Sequence, residues 1–260
     1  MPRNLRLHFF CKGIQWKSGK EIDFRREIGM NYTEDFTIHT KEEMKELIQE
    51  TGFVPFFMNE IEGFSIEEHI APECWYTGGG GDGFWDAWEW KGPVIKELKC
   101  AYGKFLKGKA MYISSKWFAD FANYRRDGYD FDARYDDGLA SFHDKELYDL
   151  LSANAPILSK SLKEIGAYQK GGKKGFDTAI TRLQKQCYVL TNDFVYATDR
   201  YGNAYGWGVA EYTTPEIFFG RTFRDKVYRR SPEESYERIL KQFQKILPGT
   251  GKEEIERLLK

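Results

Sequence analysis

One stretch of the sequence, residues 171–212, restricts the possible folds more than any other. Its first part carries an apolar stripe with the spacing of one helix face, formed by Phe176, Ala179, Ile180, Leu183 and Cys187. Two runs rich in β-branched and aromatic residues follow, and a short loop that contains Gly202 joins them. The stretch therefore predicts a helix followed by a long β-hairpin.

The side of this helix that faces away from the apolar stripe is basic and carries hydroxyl groups. At about 100° per residue, that side receives Lys174, Thr178, Thr181 and Lys185, with Arg182 at its margin. A basic helix followed by a hairpin is typical of a winged helix, in which the helix enters the major groove and the hairpin touches the flanking backbone. We therefore predict that double-stranded DNA binds to Lys173, Lys174, Thr178, Thr181, Arg182, Lys185 and Arg200.

Two further helical patterns precede this stretch, DKELYDLLSAN from Asp144 and SKSLKEIGA from Ser159. Helix, helix, helix and hairpin is the element order of a winged helix. The predicted fold class is α+β, with a winged-helix module and an N-terminal α/β region packed against it. The expected divisions are an arm or hairpin at 1–39, an acidic, Trp-rich region at 40–143, the winged helix at 144–212 and C-terminal helices at 213–260.

The formal net charge of −1 hides an uneven distribution of charge along the chain. Residues 34–97 contain 15 acidic and four basic side chains, whereas residues 158–186 contain seven basic and two acidic ones. DNA binding needs a local basic surface rather than a basic protein. The basic part is therefore the expected DNA surface, and the acidic region 34–97 is a candidate surface for a protein partner.

The sequence gives no sign of a membrane segment, a metal site or a cofactor. It has no run of about 18 apolar residues, and its start lacks the apolar segment of a signal peptide, so we expect a cytoplasmic protein that does not span a membrane. The four cysteines form no CxxC pair, which argues against zinc and against a disulfide framework. We expect neither a metal ion nor a cofactor.

Aromatic residues make up 17% of the chain, and tryptophans cluster around the four consecutive glycines at 78–81. An aromatic rim beside a flexible loop could close over a planar group, whereas the alternative is that these rings fill the core. The predicted pocket consists of Phe56, Phe57, Trp85, Trp88, Trp90, Arg125 and Arg126. The two arginines serve either as a phosphate clamp or as part of a structural ion-pair network.

Several segments of the chain resemble a known family. They are GFVPFFMNEIEGFSIEEH, WEW, GKAMYISSKWF, FANYRRDGYDFD and the predicted winged helix. Together they cover roughly residues 40–247 and are similar to AlkZ-related proteins, divergent members of the AlkZ/YcaQ superfamily of winged-helix DNA glycosylases. The resemblance implies excision of alkylated or crosslinked bases by a Gln-x-Asp or Gln-x-Gln motif that positions the hydrolytic water.

The chain departs from that motif. The corresponding position holds Pro55, Phe56 and Phe57, whose side chains cannot hold a water molecule as an amide and a carboxylate can. Gln184-Lys185-Gln186 matches by letters only, because on a helix the two amides point about 200° apart. The nearest polar substitutes for a catalytic role are Asn59, Glu60 and Glu89.

Three functions remain open from the sequence. The first is a DNA-binding winged-helix protein of repair type that lacks the family's motif. The second is an active DNA glycosylase that acts on alkylated bases with substitute residues such as Glu60 or Glu89. The third is a non-catalytic regulator or protein-interaction module, since winged helices also serve protein contacts.

Overall fold

The structure, a computed structural model, describes residues 36–75 and 86–260 as a mixed fold of α-helices with two small β-sheets. Most of the predicted N-terminal arm, the four-glycine run and Trp85 lie outside the described residues. The N-terminal part forms α1 (Lys41–Thr51), β1 (Phe53–Pro55), α2 (Ile66–His69), α3 (Pro72–Trp75), α4 (Ala87–Leu98), β2 (Ala101–Leu106), β3 (Lys109–Ile113), α5 (Ser115–Arg126) and α6 (Phe131–Asp136). The C-terminal part forms α7 (Phe142–Asn154), β4 (Ile157–Leu158), α8 (Ser159–Ile165), α9 (Phe176–Lys185), β5 (Leu190–Thr198), β6 (Ala204–Thr213), α10 (Pro215–Phe219), α11 (Thr222–Val227), α12 (Pro232–Ile246) and α13 (Lys252–Leu259).

The first sheet has the antiparallel order β1-β3-β2. Helix α1 leads into it, beginning with a capping box between Thr40 and Glu43 and ending at Gly52, whose φ of 84° is left-handed. A Cβ on Gly52 would lie only 2.3 Å from the Trp117 ring, so this tight turn into β1 requires glycine. The turn places Phe53 opposite Ile113 in the sheet.

The second sheet has the antiparallel order β4-β6-β5, and its long hairpin follows α7, α8 and α9. This is the predicted order of helices and hairpin, with the short strand β4 inserted between the first two helices. Helix α7 begins at Phe142 rather than at Asp144, because the Ser141 side chain caps it by accepting a hydrogen bond from the Asp144 amide at 3.1 Å. The apolar faces of the three helices enclose a core of their own, formed by residues such as Leu147, Leu151, Leu162, Phe176, Ile180 and Leu183.

A second, larger core joins the N-terminal sheet to the C-terminal helices. The Phe53 ring lies 4.8 Å from the ring of Phe243 on α12, and the Gln242 amide donates to the Thr51 carbonyl at 2.7 Å. Cys187 and Leu190, at the base of the hairpin, are buried in the same core. The hairpin module is therefore attached to the N-terminal region by packing as well as by chain connection.

Within residues 36–75 and 86–260, none of the helices has the length and apolar character that crossing a bilayer requires.

Candidate nucleic-acid interface and aromatic site

Helix α9 buries its predicted apolar stripe and exposes part of its basic side. Phe176, Ala179, Ile180 and Leu183 are buried, whereas Lys174, Thr178 and Lys185 are exposed. Neither lysine takes part in an ion pair within the described part of the chain. These two ammonium groups are therefore available to a phosphate backbone.

Two other cations of the predicted DNA surface already have carboxylate partners. Arg182 makes a bidentate pair with Asp144, at 2.7 and 2.8 Å, and this hydrogen bonding raises the pKa of its guanidinium. Lys173 pairs with Glu146 at 2.5 Å. Because the Asp144 side chain is buried, the Arg182 pair holds α9 against α7, and a phosphate would have to compete with it.

The side of α9 that contains Thr181 and Gln184 packs on strand β2. The buried Gln184 side chain accepts a hydrogen bond from the Lys104 amide at 2.9 Å, and Thr181 lies 3.5 Å from Lys104 Nζ. Lys104 is the exposed position within the buried pattern of β2, and it adds a cation beside α9 that is not among the predicted DNA-binding residues. The available signal was a single lysine within the apolar run AYGKFL.

The hairpin loop is ordered by Asp199, whose carboxylate accepts hydrogen bonds from the amides of Tyr201 and Asn203. Arg200 lies exposed at the tip, 4.6 Å from the centre of the Tyr201 ring. Three aromatic side chains of the hairpin are largely exposed: Tyr201 at 73%, Tyr205 at 59% and Trp207 at 65%. Exposed aromatic rings beside a cation are typical of surfaces that stack on nucleobases.

The other end of the hairpin docks on α4, the helix that carries the WEW segment. Lys96 forms an ion pair with Asp193 on β5, and a Cβ on Gly92 would lie 2.5 Å from the Asp193 carboxylate. At the surface, the rings of Trp88 and Trp207 meet edge to face with their centroids 5.9 Å apart. Helix α4 and the hairpin thus form one continuous aromatic surface.

Beneath that surface lies an aromatic cluster centred on Phe56. Its ring is fully buried and lies 5.0 to 6.4 Å from five other aromatic rings, those of Phe57, Trp75, Trp88, Tyr102 and Tyr112. Among the predicted pocket residues, Trp90 is also buried in the core, whereas Phe57 and Trp88 are half-buried. The structure therefore places these aromatics partly in the core and partly at its edge.

A buried lysine lies within the same cluster. Lys91 is only 4% exposed, and its Nζ lies 3.4 Å from the Trp88 ring centre and 4.4 Å from that of Phe194 on β5. Burial lowers the pKa of its ammonium to about 7, and the charge of Asp86 partly offsets this effect. The sequence gives no signal for this burial, because the letters WEWKGP do not reveal that distant aromatic rings cover Lys91.

The arginine pair is divided between two environments. Arg126 is buried and donates to the Cys187 carbonyl and, at 2.8 Å, to Glu216. It therefore links α5 to the base of the hairpin and to α10. Arg125 is half-buried against the rings of Phe121 and Tyr124, about 5.2 to 5.3 Å away. The contacts of Arg126 are those of a structural ion-pair network rather than of a phosphate clamp.

The three polar candidates for catalysis have different surroundings. The Asn59 amide closes a turn by donating to the Phe64 carbonyl at 2.6 Å. Glu60 is exposed and pairs with Lys107, whose hydrogen bond lowers the pKa of the carboxyl group. Glu89 is half-buried in the first turn of α4, between Trp88 and Trp90 in sequence. Of the three, Glu89 is nearest in sequence to the exposed aromatic surface.

A cleft of about 590 Å³ lies at a different place, between α5, α12 and α13. Four of its lining side chains are acidic: Asp127, Glu233, Glu237 and Glu256. Because these carboxylates repel phosphate, the cleft does not fit a nucleic-acid backbone. No group of three or more His, Cys, Asp or Glu side chains arranged to hold a metal ion occurs in ranges 36–75 and 86–260.

The fold and the surface define an α+β protein in which a basic helix and an aromatic hairpin adjoin a Trp-rich helix. The family model described as AlkZ related matches residues 38–260, and the chain therefore belongs to the AlkZ-related family. This assignment relates it to glycosylases of the DNA-repair type. Searches of curated proteins and of solved structures found no match.

Proposed function

We propose that the protein is a DNA-binding winged-helix protein of repair type, which resembles base-excision glycosylases but lacks their water-positioning motif. In this proposal α7, β4, α8, α9 and the β5–β6 hairpin form the winged helix. Helix α9 faces the major groove of double-stranded DNA, and the hairpin tip contacts the flanking backbone.

The observation that carries the proposal is the set of exposed cations around α9. Lys185 lies on its exposed side and Lys174 lies just before its first turn, Lys104 lies beside it on β2, and Arg200 lies at the hairpin tip. The exposed Thr178 hydroxyl can donate to a phosphate between them. Local cationic surfaces of this kind bind DNA even when the net charge of the protein is close to zero.

The packing of α9 restricts how DNA approaches. Thr181 is half-buried against β2, so the available side of the helix is the one that carries Thr178 and Lys185. Arg182 and Lys173 contribute to binding only if DNA displaces Asp144 and Glu146. We therefore expect Lys174 and Lys185 to contribute more to DNA affinity than Arg182 and Lys173.

The residues aligned with the family's motif support DNA binding without hydrolysis of the glycosidic bond by a positioned water molecule. Phe56 is buried among aromatic rings, and neither Pro55 nor Phe57 has a side-chain donor or acceptor. Gln184 hydrogen-bonds to β2, and Gln186 follows the end of α9. The resemblance to glycosylases therefore favours recognition of DNA damage over hydrolysis by that motif.

The experiment is a fluorescence-anisotropy titration of a labelled duplex at several salt concentrations. We expect the double variant Lys174→Ala, Lys185→Ala to bind more weakly, and the slope of log affinity against log salt to fall by about 1.8, which corresponds to two lost phosphate contacts. The charge-matched control is Lys241→Ala, Lys245→Ala on α12, where both lysines are also exposed. Binding without any salt dependence, or equal losses in both double variants, would contradict the proposal.

A further inference from the structure

The amine of Lys91 occupies an environment that lysines seldom occupy. Lysine is almost never fully buried unless it is paired, yet Lys91 is 4% exposed and takes part in none of the ion pairs found within the described residues. Aromatic rings surround Nζ instead, with Trp88 at 3.4 Å, Phe194 at 4.4 Å and Phe56 at 5.6 Å. These rings come from α4, β5 and the segment after β1, so Lys91 lies where three parts of the fold meet.

A second buried polar group belongs to the same cluster. The Tyr112 hydroxyl on β3 is fully buried and has no hydrogen-bond partner among residues 36–75 and 86–260. Its ring lies 6.4 Å from that of Phe56, the same ring that contacts Lys91. An unsatisfied buried hydroxyl lowers stability, and such groups require an explanation such as a bound partner. The cluster therefore contains two buried polar groups, the Lys91 amine and the Tyr112 hydroxyl.

The cluster reaches the surface at its tryptophans. Trp88, which covers Nζ, is half-buried, and Trp207 against its edge is 65% exposed. The amine can react only when the Trp88 ring turns away from Nζ, toward the face shared by α4 and the hairpin. The same hairpin carries Arg200 of the proposed DNA surface at its tip.

Desolvation gives the amine nucleophilic character. Burial lowers the pKa of Lys91 to about 7, so a large fraction of the side chain is the free base at neutral pH. An ordinary lysine is almost entirely protonated at that pH and has no lone pair to donate. Lysines activated by desolvation in apolar sites form Schiff bases with carbonyl compounds.

We propose that Lys91 forms a Schiff base with the C1′ aldehyde of an abasic deoxyribose, and that the protein cleaves DNA at abasic sites by β-elimination. The proposal rests on the DNA-binding function proposed above. It assigns the site a substrate class, the aldehyde left when a base has been removed, rather than a damaged base.

The reaction is balanced without an oxidant, a metal or a cofactor. The lone pair of Lys91 Nζ adds to C1′, and the resulting carbinolamine loses one water molecule to give an imine. The imine acidifies C2′, whose proton passes to solvent, while the C2′–C3′ double bond forms and the C3′–O bond breaks. The electron pair leaves with the 3′-phosphate oxygen. Water then hydrolyses the imine, which releases an unsaturated aldehyde and restores the amine.

The test is borohydride trapping with the full chain and a duplex that contains one abasic site. Borohydride reduces the imine to a stable amine, so a covalent protein–DNA adduct appears on a denaturing gel. We expect an adduct with the wild-type chain, and peptide mass mapping should place it on Lys91. Lys91→Met, which keeps the volume and removes the amine, should reduce trapping at least tenfold while duplex affinity stays within about twofold.

Two further variants control for folding and for unspecific imine formation. Lys91→Arg keeps a cation over the Trp88 ring but cannot form the imine, so it should also lose trapping. Lys99→Met removes an exposed lysine just after α4 and should trap as the wild type does. Adducts that map to other lysines, or trapping that survives in both Lys91 variants, would overturn the proposal. If the protein binds the duplex but gives no trapped adduct, only the Schiff-base proposal is overturned. If it neither binds nor traps, both the Schiff-base proposal and the DNA-binding function are overturned.

Discussion

Replacement of Lys91 by methionine should stabilise the protein in a pH-dependent way. The folded-state pKa of Lys91 is about 7, compared with the ordinary value of 10.5. Between these two values the unfolded chain binds more protons than the folded one, so wild-type stability rises with pH across this window. Below pH 7 the penalty for burying the ammonium is fully present, and above pH 10.5 it is absent. Lys91→Met removes this penalty at every pH.

The magnitude follows from the same difference in pKa. The difference between a pKa of about 7 and one of 10.5 corresponds to about 5 kcal/mol, because each pKa unit is worth about 1.4 kcal/mol. We therefore expect Lys91→Met to raise the free energy of unfolding by about 3–5 kcal/mol at pH 7, and this gain to shrink by about 2–3 kcal/mol by pH 9.5.

The assay is urea unfolding of both proteins at half-unit steps of pH. The other charged and titratable groups in this part of the fold are present in both proteins. They are Asp86, Glu89, the Lys96–Asp193 ion pair, the buried Tyr102 and Tyr112 and the half-buried Tyr196. The difference between the two stability curves therefore isolates Lys91. Lys99→Met, at an exposed site, should run parallel to the wild type. A difference between wild type and Lys91→Met that stays constant within about 0.5 kcal/mol from pH 7 to 9.5 would refute the reasoning.

Further substitutions test the contacts that hold α9, the hairpin and their neighbours in place. Arg126→Met should lower the free energy of unfolding by about 2–4 kcal/mol in urea melts, because it leaves the Cys187 carbonyl without its buried donor and breaks the pair with Glu216. Arg182→Ala should cost about 1–2 kcal/mol, a value discounted because the arginine side chain is 44% exposed, whereas Lys185→Ala should change thermal stability by less than about 0.5 kcal/mol. Gly92→Ala should destabilise by about 1 kcal/mol in thermal melts, since its Cβ would lie 2.5 Å from the Asp193 carboxylate, and in an Asp193→Ala background it should stabilise instead, as alanine normally does in a helix.

Helix α9 was predictable because its apolar residues recur at helical spacing and form the buried face. Phe176, Ala179, Ile180 and Leu183 recur on one face, and the structure buries all four. The same period cannot reveal that a second neighbour, β2, covers the side with Thr181, because docking between elements distant in sequence leaves no local pattern. Gln184 shows the same limit, since a polar residue that satisfies a distant backbone amide looks like a surface residue in the sequence.

The available positive charge around α9 was harder to predict than the helix itself, for a related reason. The sequence assigns Lys173 and Arg182 to the basic surface together with Lys174 and Lys185. Their partners, Glu146 and Asp144, lie 27 and 38 residues earlier in the chain, on a helix that packs beside α9 only after folding. Counting charges along a segment therefore overstates the positive field that a ligand meets. The DNA surface proposed from the structure is smaller than the predicted one, and it gains Lys104.

Phe56 and the buried lysine are connected by packing. The ring of Phe56, a residue that the sequence resemblance aligns with the family's motif, lies 5.6 Å from Lys91 Nζ. A water-binding amide at that place would hydrate the ammonium and favour its charged form, whereas a phenyl ring removes water from it. The phenyl ring of Phe56 is therefore part of the apolar environment that lowers the pKa of Lys91. A site that cannot position water for hydrolysis is, for the same physical reason, suited to keep an amine unprotonated.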